Sequence, residues 1–470
     1  MKTSKKTLGQ SSNGHINMLA CLVARRKKHV CLVLGALLAM SVAGCGGDNN
    51  TSENPDSASS SESESKNENV EIRFSWWGSE ARNTATLEAI EAYESQNPGV
   101  TIVPEYTGYE GYQEKLYAQI AAGNTPDIFT SVTEWYSYLY DADAMADMTD
   151  AFDMSGHSDA YIEACSYEGK VYGVSTSLNG YGIVCNQTLA DELGITLPAV
   201  TDTYTWDDLA DIWIQAAEKS GGSCYGVMDP RYAGWAMEAF GYTYLSKEEP
   251  YMYSNEGLTI EADDVTQFID YFDNLPEGTV MPADESFAVD PQMDAPVASG
   301  KVLMELESTG TFATMQSQTE DQLTLIPYPR GENGESANCA RPGLIQNVAS
   351  TSAHPEECFA FLDWFTNSEE AALILGTTRG VLPTEVQRQA LLNNSEGVSR
   401  EDQIVIDCLD VINKDENMHT FLPGPMGIDE ARMNTFENVV SEAVFGYISS
   451  EEAGEKYIEE ANKVLASYNN

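Results

Sequence analysis

Two alternating hydrophobic periods in residues 70–131 constrain the fold of this chain more than any other feature of its sequence. The stretch VEIRFSWW at 70–77 begins with apolar side chains at every second position, a period typical of a β-strand. In the next segment Leu87, Ile90 and Tyr93 recur at intervals of three, which places them on one face of a helix. The apolar period therefore changes from strand to helix within a short stretch.

The same order then repeats. Asn-Pro-Gly at 97–99 ends the first helix, because proline and glycine do not continue it, and VTIVPEY at 100–106 reads as a second strand. A helix with Leu116 and Ile120 facing inward follows, and a third strand occupies 127–131. This order predicts an α/β fold, with a mostly parallel sheet flanked by helices on both faces.

Ligands of such sheets bind beyond the carboxyl ends of the strands. Trp76 and Trp77 stand at the end of the first predicted strand, and Thr133, Glu134 and Trp135 follow the third. Adjacent strand residues face opposite sides, so one of the two tryptophans is expected to face the binding region.

A capping box is predicted farther along the chain, where Thr205 and Asp208 have the required spacing. The helix that it opens has an apolar face that includes Leu209 and Trp213. Residues from 356 onward read as largely helical.

The N-terminal segment has the order of a secretory signal. A basic cluster at 25–28 precedes an apolar run at 30–42, which is shorter than the ~20 residues of a membrane-spanning helix. We interpret residues 1–44 as a signal peptide with an unusually long leader, so that translation could also start at Met18.

A cysteine ends this segment. Val42, Ala43, Gly44 and Cys45 resemble the bacterial lipobox, which implies that Cys45 becomes the lipid-modified N-terminus. Residues 45–69 contain almost no apolar side chains after the cysteine and are expected to form a disordered tether.

The charge of the mature chain excludes one class of partner. Cleavage after residue 44 would leave 18 basic and 74 acidic residues, a net charge of −56. Such a surface repels nucleic acid and anionic lipid headgroups, so nucleic acid is not expected as a partner.

Catalytic and metal motifs are not found. The sequence contains no HExxH, no GxSxG and no phosphate-binding loop, so we expect neither an enzyme nor a metal or other cofactor. The six cysteines of the body form no CxxC pair, and both free thiols and disulfides remain open for Cys165, Cys185, Cys224, Cys339, Cys358 and Cys408.

Several motifs, in order along residues 70–470, resemble the extracellular solute-binding lipoproteins of bacterial ABC importers, in the family that includes maltose- and oligosaccharide-binding proteins. The matching stretches are YESQNPGVTI, AQIAAGNTPDIF, GYGIVCNQTLADELGI followed by TWDDLADIW, ASGKVLMELEST and TRGVLPT. The resemblance implies a two-lobed periplasmic-binding-protein fold that closes around a ligand.

The resemblance also implies where the lobes divide. Lobe 1 would comprise 70–177 and 340–380, and lobe 2 would comprise 182–338 and 383–470. The chain would cross the hinge near Asn179, Arg341 and Gly380, and the glycines there suit a hinge because hinges absorb large backbone changes.

A sugar site needs flat aromatic surfaces and planar polar side chains. Strand ends and family-like segments, including MDPRYAGWAMEAFG at 228–241, supply the candidates. The predicted ligand-binding residues are Trp76, Trp77, Glu80, Glu134, Trp135, Asn179, Asp229, Arg231, Tyr232, Trp235, Arg379, Glu430 and Arg432.

These features predict a monomeric, lipid-anchored protein on the outer face of a bacterial cell membrane. It would capture a carbohydrate, chiefly an oligosaccharide, and deliver it to the membrane subunits of an ABC permease. Two alternatives remain open: the same fold could bind a cationic or peptide-like solute, or the protein could be a surface glycosidase or glycan-adhesion module.

Overall fold

The computed structural model describes residues 69–254, 257–289, 291–394 and 398–468. The predicted signal peptide, Cys45 and nearly all of the tether lie outside the described residues. No helix within the described ranges is both long and apolar enough to span a bilayer.

Sixteen strands are found among the described residues, most of them short. They are β1 (Val70–Trp77), β2 (Val100–Thr107), β3 (Ile128–Ser131), β4 (Ser166–Tyr167), β5 (Lys170–Val171), β6 (Val174–Ser175), β7 (Leu178–Asn179), β8 (Tyr181–Asn186), β9 (Tyr225–Val227), β10 (Tyr253–Ser254), β11 (Gly257–Leu258), β12 (Val302–Ser308), β13 (Leu323–Ile326), β14 (Cys339–Pro342), β15 (Ile345–Val348) and β16 (His419–Thr420).

Helices connect these strands and dominate the C-terminal third, as the sequence predicts. They are α1 (Glu80–Gln96), α2 (Tyr112–Ala121), α3 (Tyr136–Asp141), α4 (Asp159–Ala164), α5 (Gln187–Leu193), α6 (Trp206–Lys219), α7 (Gly234–Thr243), α8 (Ala262–Asp273), α9 (Ala283–Ser286), α10 (Pro291–Asp294), α11 (Phe312–Gln316), α12 (Pro355–Asn367), α13 (Glu369–Leu375), α14 (Glu385–Asn393), α15 (Arg400–Asn413), α16 (Ile428–Glu430), α17 (Phe436–Val444) and α18 (Ser450–Tyr468).

The first sheet has the order β2-β1-β3-β15-β6. Its first three strands are parallel, with Phe74 opposite Ile128, and they confirm the predicted alternation of strands and helices. Helix α1 ends at Gln96, next to the predicted Asn-Pro-Gly stop. Ile90 and Tyr93 are buried as expected, but Leu87 is 36% exposed and lies at the margin of the apolar face.

The second sheet has the order β13-β8-β12-β9 and is not mostly parallel. β8 is antiparallel to both of its neighbours, and only β12 and β9 run in the same direction. The α/β fold is therefore confirmed, but its sheets are mixed. Strand direction is set by the path of the chain between strands, which side-chain periodicity does not report.

A small third sheet, β16-β14-β7, joins the predicted crossover points. Asn179 pairs with Arg341, and Leu178 bridges to Val381 beside Gly380. The residues at which the chain is predicted to cross between lobes thus lie side by side, although the lobe boundaries themselves remain a prediction.

Each main sheet has its own apolar cores. Phe74, Trp76 and Phe361 belong to a core on the first sheet, whereas Trp213 and Phe240 belong to a core on the second. The capping box that opens α6 forms as predicted, with the Thr205 side chain accepting from the Asp208 amide. All six cysteines of the body are free and buried.

Candidate functional site

A cavity of about 360 Å³ lies between the two main sheets. One wall contains Trp135, whose aromatic cluster packs with Phe129 and Ile345 of the first sheet. The other wall contains Ile428, which belongs to the core of the second sheet. This position, between the lobes of a two-lobed fold, makes the cavity the candidate ligand cleft.

A second cavity of about 490 Å³ adjoins the first, since Pro425 and Met426 line both. Two hydrogen bonds beside this cavity join the two sides of the cleft. The Ser137 hydroxyl donates to the carbonyl of Gly424, and the Thr420 hydroxyl donates to the Glu163 carboxylate at 2.8 Å.

Glu134 lines the first cavity and is fixed by an arginine of the third sheet. Its carboxylate accepts from Arg341 Nη2 at 2.6 Å, and the side chain of Glu134 is only 9% exposed. The same guanidinium donates to the Tyr181 hydroxyl and lies over the ring of Phe421, 4.8 Å from its centroid. Arg341 therefore connects one side of the cleft to the other.

Arg432 also lies beside Phe421, with its guanidinium carbon 5.5 Å from the centroid of the Phe421 ring. It donates to both oxygens of Glu238, at 2.7 and 2.9 Å, and both side chains are buried. Burial alone would lower the pKa of Arg432, but the adjacent carboxylate outweighs burial and raises it. Arg432 is thus a buried structural cation beside the cleft.

Aromatic rings cluster on the first-lobe side of the first cavity, where the predicted Trp77 is buried beside Trp135 and lines neither cavity. The Trp77 ring contacts Trp135 at 5.6 Å and Tyr109 at 5.5 Å between centroids, and Tyr109 is 64% exposed. Tyr117 stacks on Tyr138 at 3.8 Å, and both line the first cavity beside Trp135. Rings of this kind offer the apolar faces on which flat ligands stack.

A second aromatic group consists of Trp235, a predicted ligand-binding residue that lines neither cavity, and two tyrosines. The Trp235 ring is nearly parallel to Tyr181 (11°, 5.0 Å) and to Tyr328 (20°, 6.4 Å). Tyr181 carries the hydroxyl that Arg341 contacts, so this group is linked to the cleft. Trp235 itself is 8% exposed and belongs to the core of the second sheet.

Glu430 is brought to the first cavity from the opposite wall, next to Asp429. It accepts from the Tyr468 hydroxyl at 3.0 Å. Asp429 is open to solvent, yet the surrounding protein and the charge of Glu134 raise its pKa. The structure therefore brings Glu134, Trp135 and Glu430 together around one cavity.

Other predicted residues take different places, and none of those that follow lines either cavity. Trp76 is fully buried in a core of the first sheet and donates to Asn83 at 2.9 Å, because α1 covers its face of β1. Glu80 is exposed in the first turn of α1, where a carboxylate is also favoured by the helix dipole.

The segment at 229–232 is turned into the second lobe. Arg231 is bound by Asp229 at 2.8 Å and by Asp273 at 2.5 Å, and it is 6% exposed. The ring of Tyr232 packs on Phe287, and burial raises the pKa of its hydroxyl. Arg231 is therefore occupied by carboxylates of its own lobe, a pairing that spans 42 residues and that the sequence pattern does not reveal.

Asn179 and Arg379 lie near the crossover strands. Asn179 is a half-buried member of β7. Arg379 is 2% exposed, donates to the Thr86 hydroxyl at 2.7 Å and lies 5.0 Å from the Phe365 ring. Burial, together with the nearby charge of Arg82, lowers the pKa of Arg379 to about 9. Its guanidinium points into the first lobe.

The residues that sequence reasoning missed come mainly from one segment. Phe421, Met426 and Asp429 belong to the stretch FLPGPMGIDE at 421–430, from which only Glu430 was predicted. The proline and glycine content of this stretch indicates a loop, and loops often carry binding residues. Within the described ranges, no group of histidine, cysteine and acidic side chains could hold a metal ion.

Comparison with known proteins agrees with this architecture. The profile of the bacterial extracellular solute-binding protein family matches residues 88–395. A protein of Pyrococcus horikoshii named as an uncharacterized ABC transporter extracellular-binding protein is 22% identical over 380 residues, which cover 77% of this chain and 83% of that protein.

Solved structures share the fold at low identity. A family 1 extracellular solute-binding protein from Alicyclobacillus acidocaldarius aligns with a TM-score of 0.70 at 21% identity, covering 84% of this chain and 98% of that one. An oligogalacturonide-binding protein from Yersinia enterocolitica, solved with saturated digalacturonic acid, aligns with a TM-score of 0.69 at 20% identity, covering 85% and 99%. With a family profile matching most of its length and a cleft between two lobes, this chain belongs to the bacterial extracellular solute-binding protein family.

Proposed function

We propose that this protein is the substrate-binding component of an ABC importer and that it captures an oligosaccharide in the cleft between its lobes. The observation that carries the proposal is the composition of the first cavity, where Trp135 and three tyrosines lie among carboxylate and amide side chains. Aromatic faces suit the C–H surfaces of sugar rings, and planar polar groups suit their hydroxyls.

The comparisons support both halves of the proposal. The name of the Pyrococcus relative places that protein in an ABC transporter, and the Yersinia structure holds a sugar dimer. The permease would supply the membrane subunits, and the predicted lipid on Cys45 would keep a monomeric binding protein at the outer face of the membrane.

Ligand capture would proceed by a population shift. Open and closed forms exchange, and a ligand that contacts both lobes favours the closed form by its differential affinity. Arg341 is placed to report closure, because its partners Glu134 and Phe421 lie on opposite sides of the cleft. No bond of the ligand is broken in this process.

A thermal-shift screen of mono- and oligosaccharides tests the proposal, since a ligand that binds the native state raises the unfolding midpoint. Hits are then measured by calorimetry against Glu134→Gln, which removes a carboxylate of the cavity. We expect at least one oligosaccharide to raise the unfolding midpoint of the wild-type protein. The Glu134→Gln variant should bind that oligosaccharide with lower affinity. A screen without any saccharide that binds would refute oligosaccharide capture.

The anchor is tested separately. Cys45→Ser should move the protein from the membrane fraction to the soluble fraction without changing saccharide affinity. Retention of the variant in membranes until detergent is added would refute lipidation at Cys45.

A cationic or peptide-like solute is the second candidate. It is favoured by the four carboxylates of the first cavity, Glu114, Glu134, Asp429 and Glu430, which could bind ammonium groups among aromatic rings. Binding of such solutes, and of no saccharide, in the same screen would decide for it.

A further inference from the structure

We propose that the cleft selects its ligand by charge, accepting neutral or amine-bearing sugars and rejecting acidic sugars such as uronates. This inference rests on the proposed function and names the substrate class of the same cleft. It depends on which charged groups face the ligand space and which of them already have partners.

The cations beside the cleft are already neutralised. Arg341 is paired with Glu134 at 2.6 Å, and Arg432 is held by both oxygens of Glu238. A sugar carboxylate would have to displace one of these partners to gain charged donors. Displacement would leave a protein carboxylate without its cation in a largely buried setting, which is costly.

Every charged side chain among the described residues that line the two cavities is acidic, and the charge of one of them, Glu134, is balanced by Arg341. Within the described part of the chain, no lysine, arginine or histidine lines either cavity. The carboxylates that line them are Glu114, Glu134, Asp429 and Glu430 in the first cavity, and Asp141, Glu163 and Glu168 in the second.

Neutral sugars fit such a site, because hydroxyl groups donate hydrogen bonds to carboxylates. An ammonium group would fit it also, through charge and through the adjacent rings. A uronate offers a negatively charged acceptor where the walls also offer carboxylate acceptors, and like charges repel one another.

Two further arginines of the first lobe, Arg82 and Arg379, add no positive charge to the walls of the cavities. Arg82 donates to the carbonyls of Trp77 and Thr378, and Arg379 donates to Thr86. Neither arginine lines a cavity. The surplus of acids over bases in the whole sequence adds to the negative potential at the cleft.

The experiment compares one neutral oligosaccharide that binds with its derivative in which the C6 hydroxymethyl group is oxidised to a carboxylate. Affinities of both are measured by calorimetry at low and at high salt. The oxidised sugar is expected to bind at least about tenfold more weakly than the neutral sugar at low salt. This ratio of affinities should decrease at high salt, because salt screens exposed charges. Loss of a hydroxyl donor alone would give a gap that salt does not change.

A variant pair assigns the effect to the cavity. The double substitution Asp429→Asn and Glu430→Gln should reduce the discrimination against the oxidised sugar several-fold. Glu451→Gln with Glu455→Gln removes the same net charge from exposed positions near the start of α18. These positions lie at the opposite end of the helix from Tyr468, which lines the first cavity. This matched control should leave the discrimination unchanged.

Equal or tighter binding of the uronate, or a gap insensitive to both salt and the double substitution, would overturn charge selection while leaving oligosaccharide capture intact. Absence of binding by neutral, amine-bearing and acidic oligosaccharides alike would instead refute the proposed function.

Discussion

The buried ion pair between Glu238 and Arg432 makes a sharp prediction about stability. Replacing Arg432 by methionine removes two hydrogen bonds of 2.7 and 2.9 Å and leaves Glu238 in a site where both side chains are less than 8% exposed. Breaking a buried pair by removing one partner costs about 3–5 kcal/mol, because an uncompensated charge remains. We expect a loss of this size in the free energy of unfolding.

The double variant Glu238→Gln with Arg432→Met should recover most of that loss. Glutamine carries no charge, and its carbonyl oxygen can keep the hydrogen bond that Glu238 receives from the backbone of Met252. We expect the double variant to lie within about 1–2 kcal/mol of wild type, since neutral replacement of a buried pair is often tolerated.

Urea unfolding at pH 7, followed by both tryptophan fluorescence and circular dichroism, measures these differences if the two transitions coincide. The exposed pair Glu459 and Lys463 provides the control, and its neutral replacement should not shift the midpoint measurably. The reasoning is refuted if Arg432→Met costs less than about 1 kcal/mol, or if the loss in the double variant equals the sum of the losses measured for Arg432→Met and Glu238→Gln singly.

Three further outcomes are expected. Trp235→Ala should lower the free energy of unfolding by about 3–5 kcal/mol, because the indole is nearly buried beside Tyr181 and Tyr328. Urea unfolding measures this loss, and an unchanged midpoint would place the ring outside the core. Burial raises the pKa of Glu305 from 4.5 to about 8, so in this window the folded protein keeps a proton that the unfolded chain has lost, and the contribution of Glu305 to stability falls as the pH rises. Glu305→Gln should therefore gain on wild type by about 1 kcal/mol per pH unit between pH 5 and 8, and a pH-independent difference would contradict this. Ellman's reagent should label the body cysteines only after unfolding, because these thiols are buried and burial raises their pKa. Rapid labelling of the native protein would contradict this by showing an accessible thiol. The cysteines concerned are Cys165, Cys185, Cys224, Cys339, Cys358 and Cys408.

The sequence predicted the first three strands of the first sheet closely because its information is local. The change of apolar period marks β1 and α1, and Asn-Pro-Gly lies where α1 ends. The capping box at Thr205 is likewise a contact between residues three apart. Such features need no knowledge of the rest of the chain.

The pairing of strands in the second sheet and several contacts of the site could not be predicted from local sequence patterns. The antiparallel pairing of β8 with β12 joins residues more than 100 positions apart. Arg341 and Glu134 are separated by 207 positions, and Arg432 and Glu238 by 194. Periodicity indicates that a side chain is buried, but it does not distinguish burial in a core, as for Trp76, from a place in a cleft wall, as for Trp135.

The order of strands and helices in residues 70–131, the acidic balance and the family motifs were thus determined by the sequence alone, since each is a property of neighbouring residues or of composition. Only the tertiary structure decided which of the predicted side chains meet. It placed Glu134, Trp135 and Glu430 around one cavity and engaged Arg231 and Arg432 with carboxylates. The physical reason is that a binding site and its charge pairs are made by distant segments, and their partners are selected by packing of the whole chain.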